Sequence, residues 1–128
     1  LASRVSIILK GKNKPQYSPN LPIGDGVIIV NTDKVKFSGS KNTEKKYFKH
    51  TGHPGGIKET TPDKLKEKNK SEDIIKKAIK GMLPNSPLFR DLMKNNLKLY
   101  KDSNHPHVSQ NPKNLDFKSL NRKNELNV

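Results

Sequence analysis

The sequence predicts a small α/β domain, and two observations carry that expectation. Apolar stripes at helical spacing alternate along the chain with short β-branched runs. One run, Gly26-Val27-Ile28-Ile29-Val30-Asn31, is apolar without alternation, as in a strand covered on both faces of a parallel or mixed sheet.

The elements follow in order. Residues 1–10 read as a helix, because Leu1, Val5, Ile8 and Leu9 share a stripe and Gly11 is a natural stop. A basic loop with Pro15 and Pro19 cannot continue it. After the buried strand, residues 33–37 continue in irregular or extended form to a turn at Ser38-Gly39-Ser40. Lys45-Lys46-Tyr47-Phe48-Lys49-His50 reads as a second, more exposed strand. It ends at Thr51-Gly52-His53-Pro54-Gly55-Gly56, where Gly and Pro preclude regular structure.

Thr61-Pro62-Asp63 starts a short polar helix, with Thr61 as N-cap and Pro62 in the first turn. Ser71-Glu72-Asp73 starts another, with acids where the helix dipole favours them. Ile74, Ile75, Ala78, Ile79 and Met82 fall on one face of it. Ser86-Pro87 opens a third helix in this half, which turns Leu88, Phe89, Leu92 and Met93 inward. Leu97-Lys98-Leu99-Tyr100 alternates as a short strand does. One domain is expected over residues 1–117, with residues 118–128 as a basic flexible tail.

Charge is the dominant compositional fact. Lys and Arg number 26 against 12 Asp and Glu, a net charge of +14 over 128 residues. Solubility of a small domain needs only about 2–8 charges. The excess costs stability through self-repulsion, so an acidic partner is expected, and a phosphate backbone is the commonest one. The apolar share is only 30%. A small core therefore leaves room for stabilisation by whatever binds the folded state. All but Arg4, Arg90 and Arg122 of the basic residues are Lys, a point charge suited to phosphate.

Several function classes find no support. There is no Cys, so disulfide scaffolds and Cys-based zinc sites are excluded. No apolar run approaches the ~20 residues of a membrane span, and the start does not read as a signal peptide. No nucleophile elbow, Walker loop or dinucleotide fingerprint is present, and the acids sit on helix starts and polar faces. An enzyme is therefore not expected, and no cofactor is implied. His50, His53, His105 and His107 are the possible zinc ligands. Contact with RNA bases or phosphates is the preferred reading, because Lys49 and Lys58 repel a dication. Aromatics are scarce and Trp is absent, so recognition of phosphate and shape is expected ahead of stacking on single strands. The Gly52–Gly56 loop, flanked by His50, His53 and Lys58, has the backbone freedom of an anion-binding nest.

Taken in order, these residues resemble a known family. Leu9-Lys10-Gly11-Lys12-Asn13-Lys14, Tyr17-Ser18-Pro19 and Gly24 through Asn31 match its first helix, following loop and buried strand. Lys45-Lys46-Tyr47 with His50 through Lys58 is the most specific stretch. Lys80-Gly81-Met82-Leu83-Pro84 with Leu88-Phe89-Arg90, then Leu99-Tyr100, His105-Pro106-His107 and Gln110 with Pro112, complete the series. The chain resembles the bacterial-type large-subunit ribosomal proteins numbered thirteen, over about residues 1–117 in one register.

The resemblance implies a three-layer α/β/α domain with a four-stranded sheet. It implies a structural role in the large ribosomal subunit, binding of large-subunit ribosomal RNA, neighbouring ribosomal proteins as partners, and a part in early subunit assembly. By position it implies RNA contacts at Lys10, Lys12, Lys14, Lys45, Lys49, His50, His53, Lys58 and Arg90. A cytoplasmic ribosome is the expected location, with an organellar one as the alternative. An RNA-binding protein of the same fold acting outside the ribosome is the second functional reading. Two departures stand out. The family's strand before the first helix is not in this sequence, so a fragment, or a sequence given without that part, is expected. Phe89 stands where the family has Gly.

Overall fold

The computed structural model describes residues 1–115; the tail expected at 118–128 lies outside them. The described chain is a small α/β fold with five helices and four short strands.

Helix α1 spans Ala2–Lys10 and buries Val5 and Leu9. Gly11 ends it with φ 76°, a left-handed turn that glycine adopts without strain. The Gly11 N–H donates to Ile8 O at 2.9 Å, and the Lys12 N–H donates to Ile7 O at 3.1 Å. These two bonds make the Schellman closure expected of a Gly stop. The chain then returns across the helix end, where Asp25 N–H donates to Ile8 O at 3.3 Å. Gly24 lies so close to Leu9 that a Cβ there would fall inside the Leu9 carbonyl.

That close return aims strand β1, Val27–Ile29, into the centre of the fold. It pairs in parallel with β4, Leu97–Leu99, in the register Val27↔Leu97, Ile28↔Lys98 and Ile29↔Leu99. The run is less covered than its continuous apolar pattern predicts. Ile29 is buried, Val27 and Ile28 are half-buried, and Val30 is exposed. A two-stranded ribbon leaves one edge of β1 open, which accounts for the difference. Beyond β1, a 3-10 turn at Thr32–Lys34 replaces part of the expected extended segment.

Helix α2, Lys41–Glu44, is a single turn that the sequence reading did not anticipate. Strand β2, Tyr47–His50, forms where expected and is mostly exposed. Its partner is β3, Ile57–Thr60, antiparallel in the register Tyr47↔Thr60, Phe48↔Glu59, Lys49↔Lys58 and His50↔Ile57. The four strands thus form two separate ribbons, β1–β4 and β2–β3, and not the single four-stranded sheet that the family resemblance implies.

Helix α3, Pro62–Glu67, starts as expected: Lys64 N–H donates to Thr61 Oγ1, with Pro62 in the first turn. Asn69, at φ 54°, turns the chain into α4, Ser71–Lys80. Ser71 Oγ donates to the Asp33 carboxylate and lies 3.3 Å from Thr32 Oγ1, which fixes the start of α4 against the 3-10 turn. On α4, Ile74, Ile75 and Ile79 are buried, but Ala78 is exposed and Met82, beyond the helix end, is 47% exposed. The buried stripe is narrower than predicted: α4 packs mainly along α1, α3 and the 3-10 turn, which leaves Ala78 exposed. Helix α5, Pro87–Asn95, buries Phe89 and Leu92.

The core joins Val5 and Leu9 of α1, Ile75 and Ile79 of α4, Phe89 and Leu92 of α5, and Ile29, Leu97 and Leu99 of the parallel ribbon. Burying each of these large side chains stabilises the fold by roughly 1.5–3 kcal/mol before entropy is counted. The antiparallel ribbon lies outside this cluster, so its side chains are available for other contacts.

Candidate nucleic-acid interface

The antiparallel ribbon and its loop carry four of the nine expected contact residues. Lys49 and His50 lie on β2, Lys58 on β3 and His53 in the connecting loop, and all four are exposed. The register sets Lys49 directly opposite Lys58. Like charges at facing positions of a ribbon repel and are unfavourable for the fold alone. Neither lysine has an ion-pair partner among the described residues.

The loop is closed from within. Thr51 N–H donates to Gly56 O at 3.0 Å, and Gly56 N–H donates to His53 O at 2.9 Å. Gly52 and Gly55 take φ 93° and 70°, which explains why glycine occupies both positions. Gly52 N–H donates to His50 Nδ1 at 2.9 Å. That bond makes Nδ1 the acceptor and leaves the ring proton on Nε2 in the neutral imidazole.

An isolated two-stranded ribbon is marginal in water, and a lattice of lysines and aromatic rings holds this one to the body. Lys77 Nζ of α4 sits 4.6 Å from the Tyr47 ring centre, and Lys45 Nζ sits 5.4 Å from it on the same ring. Lys45 also lies 5.9 Å from the Phe37 ring, and Lys66 lies 6.0 Å from that ring. Lys66 Nζ donates to Val35 O at 3.0 Å as well. Each such cation–π contact is worth roughly 0.5–1 kcal/mol at an exposed site. Burial pushes the Tyr47 hydroxyl above its usual pKa of 10.0. Lys45 thus has a positioning role that the sequence did not reveal. Lys46 pairs with Glu59 at 2.9 Å across the ribbon, which removes one cation from the free set.

The second group lies at the end of α1. Lys12 is exposed, with Nζ 5.7 Å from the Tyr17 ring. Lys14 is engaged within the fold: its Nζ donates to Asp25 Oδ1 at 2.6 Å and to Ile23 O at 3.0 Å. Lys10 Nζ donates to Met82 O at 2.8 Å, which ties α1 to the turn after α4. That turn also forms a shallow cleft, whose floor includes Leu83 and Phe89 and whose lining includes Lys80 and Arg90. Phe89 is buried in the core, and its neighbour Arg90 is exposed. Lys80, exposed at the end of α4, was not among the expected contact residues although the Lys80–Pro84 motif contains it.

The histidines separate into two places. His50 and His53 belong to the ribbon, while His107 Nε2 lies 2.8 Å from the Tyr100 hydroxyl and His105 packs beside both rings. Among the described residues no cluster of three or more His, Cys, Asp or Glu could hold a metal ion. No described helix is long and apolar enough to cross a membrane.

Fold and surface together define a small basic α/β protein that displays cations on a ribbon and Gly/Pro loops outside its core. Comparison with known proteins makes the assignment specific. Residues 1–106 match the family described as Ribosomal protein L13. A large ribosomal subunit protein uL13 of Methylobacterium nodulans is 51% identical over 124 residues, covering 97% of this chain and 80% of that protein. Its namesake in Neorickettsia sennetsu is 51% identical, covering 97% and 81%. That of the Wolbachia of Culex pipiens is 47% identical over 125 residues, covering 98% and 82%. The chain belongs to this ribosomal protein family.

Proposed function

We propose that the chain is a structural constituent of the large ribosomal subunit that binds large-subunit ribosomal RNA through its basic loops and supports subunit assembly and translation. It acts by position and charge, not by catalysis. Its partners are that RNA and the neighbouring large-subunit proteins, and its place in the cell is the ribosome of the cytoplasm.

The observation that carries the reading is the facing pair Lys49 and Lys58 on a ribbon that adds nothing to the core. Two unpaired cations held together are unfavourable for the protein alone, and a phosphate between or beside them relieves the repulsion. Lys12, Lys80 and Arg90 supply further contacts at the α1 end of the molecule. Of the loop amides, those of His53 and Gly55 are not taken by the loop's own hydrogen bonds and can approach a phosphate, with no Cβ in the way at Gly55. Names of the relatives point to the same assembly.

The test is equilibrium binding of the purified chain to refolded large-subunit ribosomal RNA, with small-subunit RNA as competitor. Preferential, salt-sensitive binding is expected, with a melting temperature that rises with RNA concentration. Equal affinity for both RNAs, or a melting temperature indifferent to them, would overturn the reading.

A further inference from the structure

The β2–β3 ribbon has two chemically different faces. Alternation places Tyr47 and Lys49 on one face with Lys58 and Thr60, and Phe48 and His50 on the other with Ile57 and Glu59. The Tyr47 ring lies against Lys77 of α4, so the first face turns toward the body at that end. The opposite face points away from it. Phe48 and Ile57 on that face are each 63% exposed. They are diagonal neighbours across the ribbon, within reach of one another. Single exposed apolar residues need no explanation. An aromatic ring, an imidazole and an Ile grouped on one face of a strongly cationic ribbon do.

We propose that this outer face is a platform for an unpaired nucleobase of the RNA that the Lys49–Lys58 pair holds by its phosphates. The inference rests on the proposed function and adds to it the part of the RNA that is recognised. Phe48 and His50 are two residues apart on one strand face, which spaces their side chains by roughly 7 Å. That is twice the thickness of an aromatic ring, so one base fits between the two rings. Ile57, opposite His50, closes the side of the slot. The Gly52 N–H bond to His50 Nδ1 orients the imidazole and leaves its Nε2–H to donate. Lys46 is tied to Glu59 on this face, so the platform is flanked by a neutralised pair, while the free cations Lys49 and Lys58 lie on the other face. A base with its own phosphate meets both faces of the ribbon at once. A protein partner would need acids on one side of an apolar knob to do the same.

The chain contains no Trp, so Phe48→Trp places a single indole at the platform. On binding refolded large-subunit ribosomal RNA its emission is expected to be quenched and shielded from acrylamide. Phe48→Ala is expected to weaken binding roughly 5- to 150-fold, while the slope of affinity against salt stays that of wild type. Circular dichroism checks that both variants fold. If the indole stays accessible while RNA binds, or if Phe48→Ala binds as wild type does, the platform is refuted and the phosphate contacts of the proposed function stand. If the indole responds only when other large-subunit proteins are added, the face is a protein contact and the inference falls. If wild type binds no RNA, both readings fall together.

Discussion

Replacing Lys49 and Lys58 with Gln separates the contribution of this pair to RNA binding from its contribution to the fold. The register sets the two residues opposite each other, both exposed and without an ion-pair partner among the described residues. Each contact with a phosphate lowers the slope of log affinity against log salt by roughly 0.7–0.9. Over a fourfold rise in salt, from roughly 50 to 200 mM, one contact is therefore worth a factor of about 3, and two are worth about 10. The double variant Lys49→Gln/Lys58→Gln should lose about 10-fold less affinity across that range than wild type, and should bind more weakly at low salt. Its folding stability should hold or rise by a few tenths of a kcal/mol, because a like-charged facing pair has been removed. Filter binding at a series of salt concentrations and thermal melting of the free protein read the two quantities. A wild-type slope in the double variant, or a lower melting temperature, would refute the reasoning.

Three further predictions concern the scaffold. Ile79 is fully buried between helices, so Ile79→Ala should cost about 2–5 kcal/mol and lower the melting temperature by roughly 10 °C or more, measured by calorimetry. Gly24→Ala forces a Cβ into the Leu9 carbonyl and should destabilise the fold more than Gly26→Ala, where the added Cβ meets only Asn96 O at 3.8 Å; comparative urea unfolding checks the order. Tyr47 has a folded-state pKa raised by burial, so its stabilising effect is complete below the unfolded value near 10.0 and is lost as pH rises through the folded one. Alkaline absorbance titration should show a step above pH 10.0 that vanishes in Tyr47→Phe.

Much of the fold could be read from local pattern. The stop at Gly11, the cap at Thr61, the acids opening α4 and the alternation of β4 all act within a few residues, and all appear where the sequence placed them. Strand β3 was missed because Ile57-Lys58-Glu59-Thr60 has one apolar residue and no buried face. Its conformation comes from pairing with β2 across the Gly/Pro loop, a partner no local window contains. Helix α2 was missed for a similar reason, being one polar turn. The separation into two ribbons likewise depends on pairing between distant segments.

At the candidate site, the residue types and their loops were legible, but the state of each charge was not. Lys14 and Lys46 look like Lys12 and Lys49 in the sequence. Only the folded chain brings Asp25 to the first and Glu59 across from the second. Lys10 is committed to the Met82 carbonyl in the same way. That Phe48 and His50 share a face follows from period two, since they alternate with Tyr47 and Lys49. That Ile57 lies opposite His50 depends on the pairing with β3.

The most direct test of the central claim is sedimentation in bacterial cells whose own member of this family has been replaced by the chain. Gradient fractions probed for the chain should show it in the large subunit and the intact ribosome, and not in the small subunit. Recovery at the top of the gradient with free proteins, or alongside the small subunit, would contradict a structural role in the large subunit.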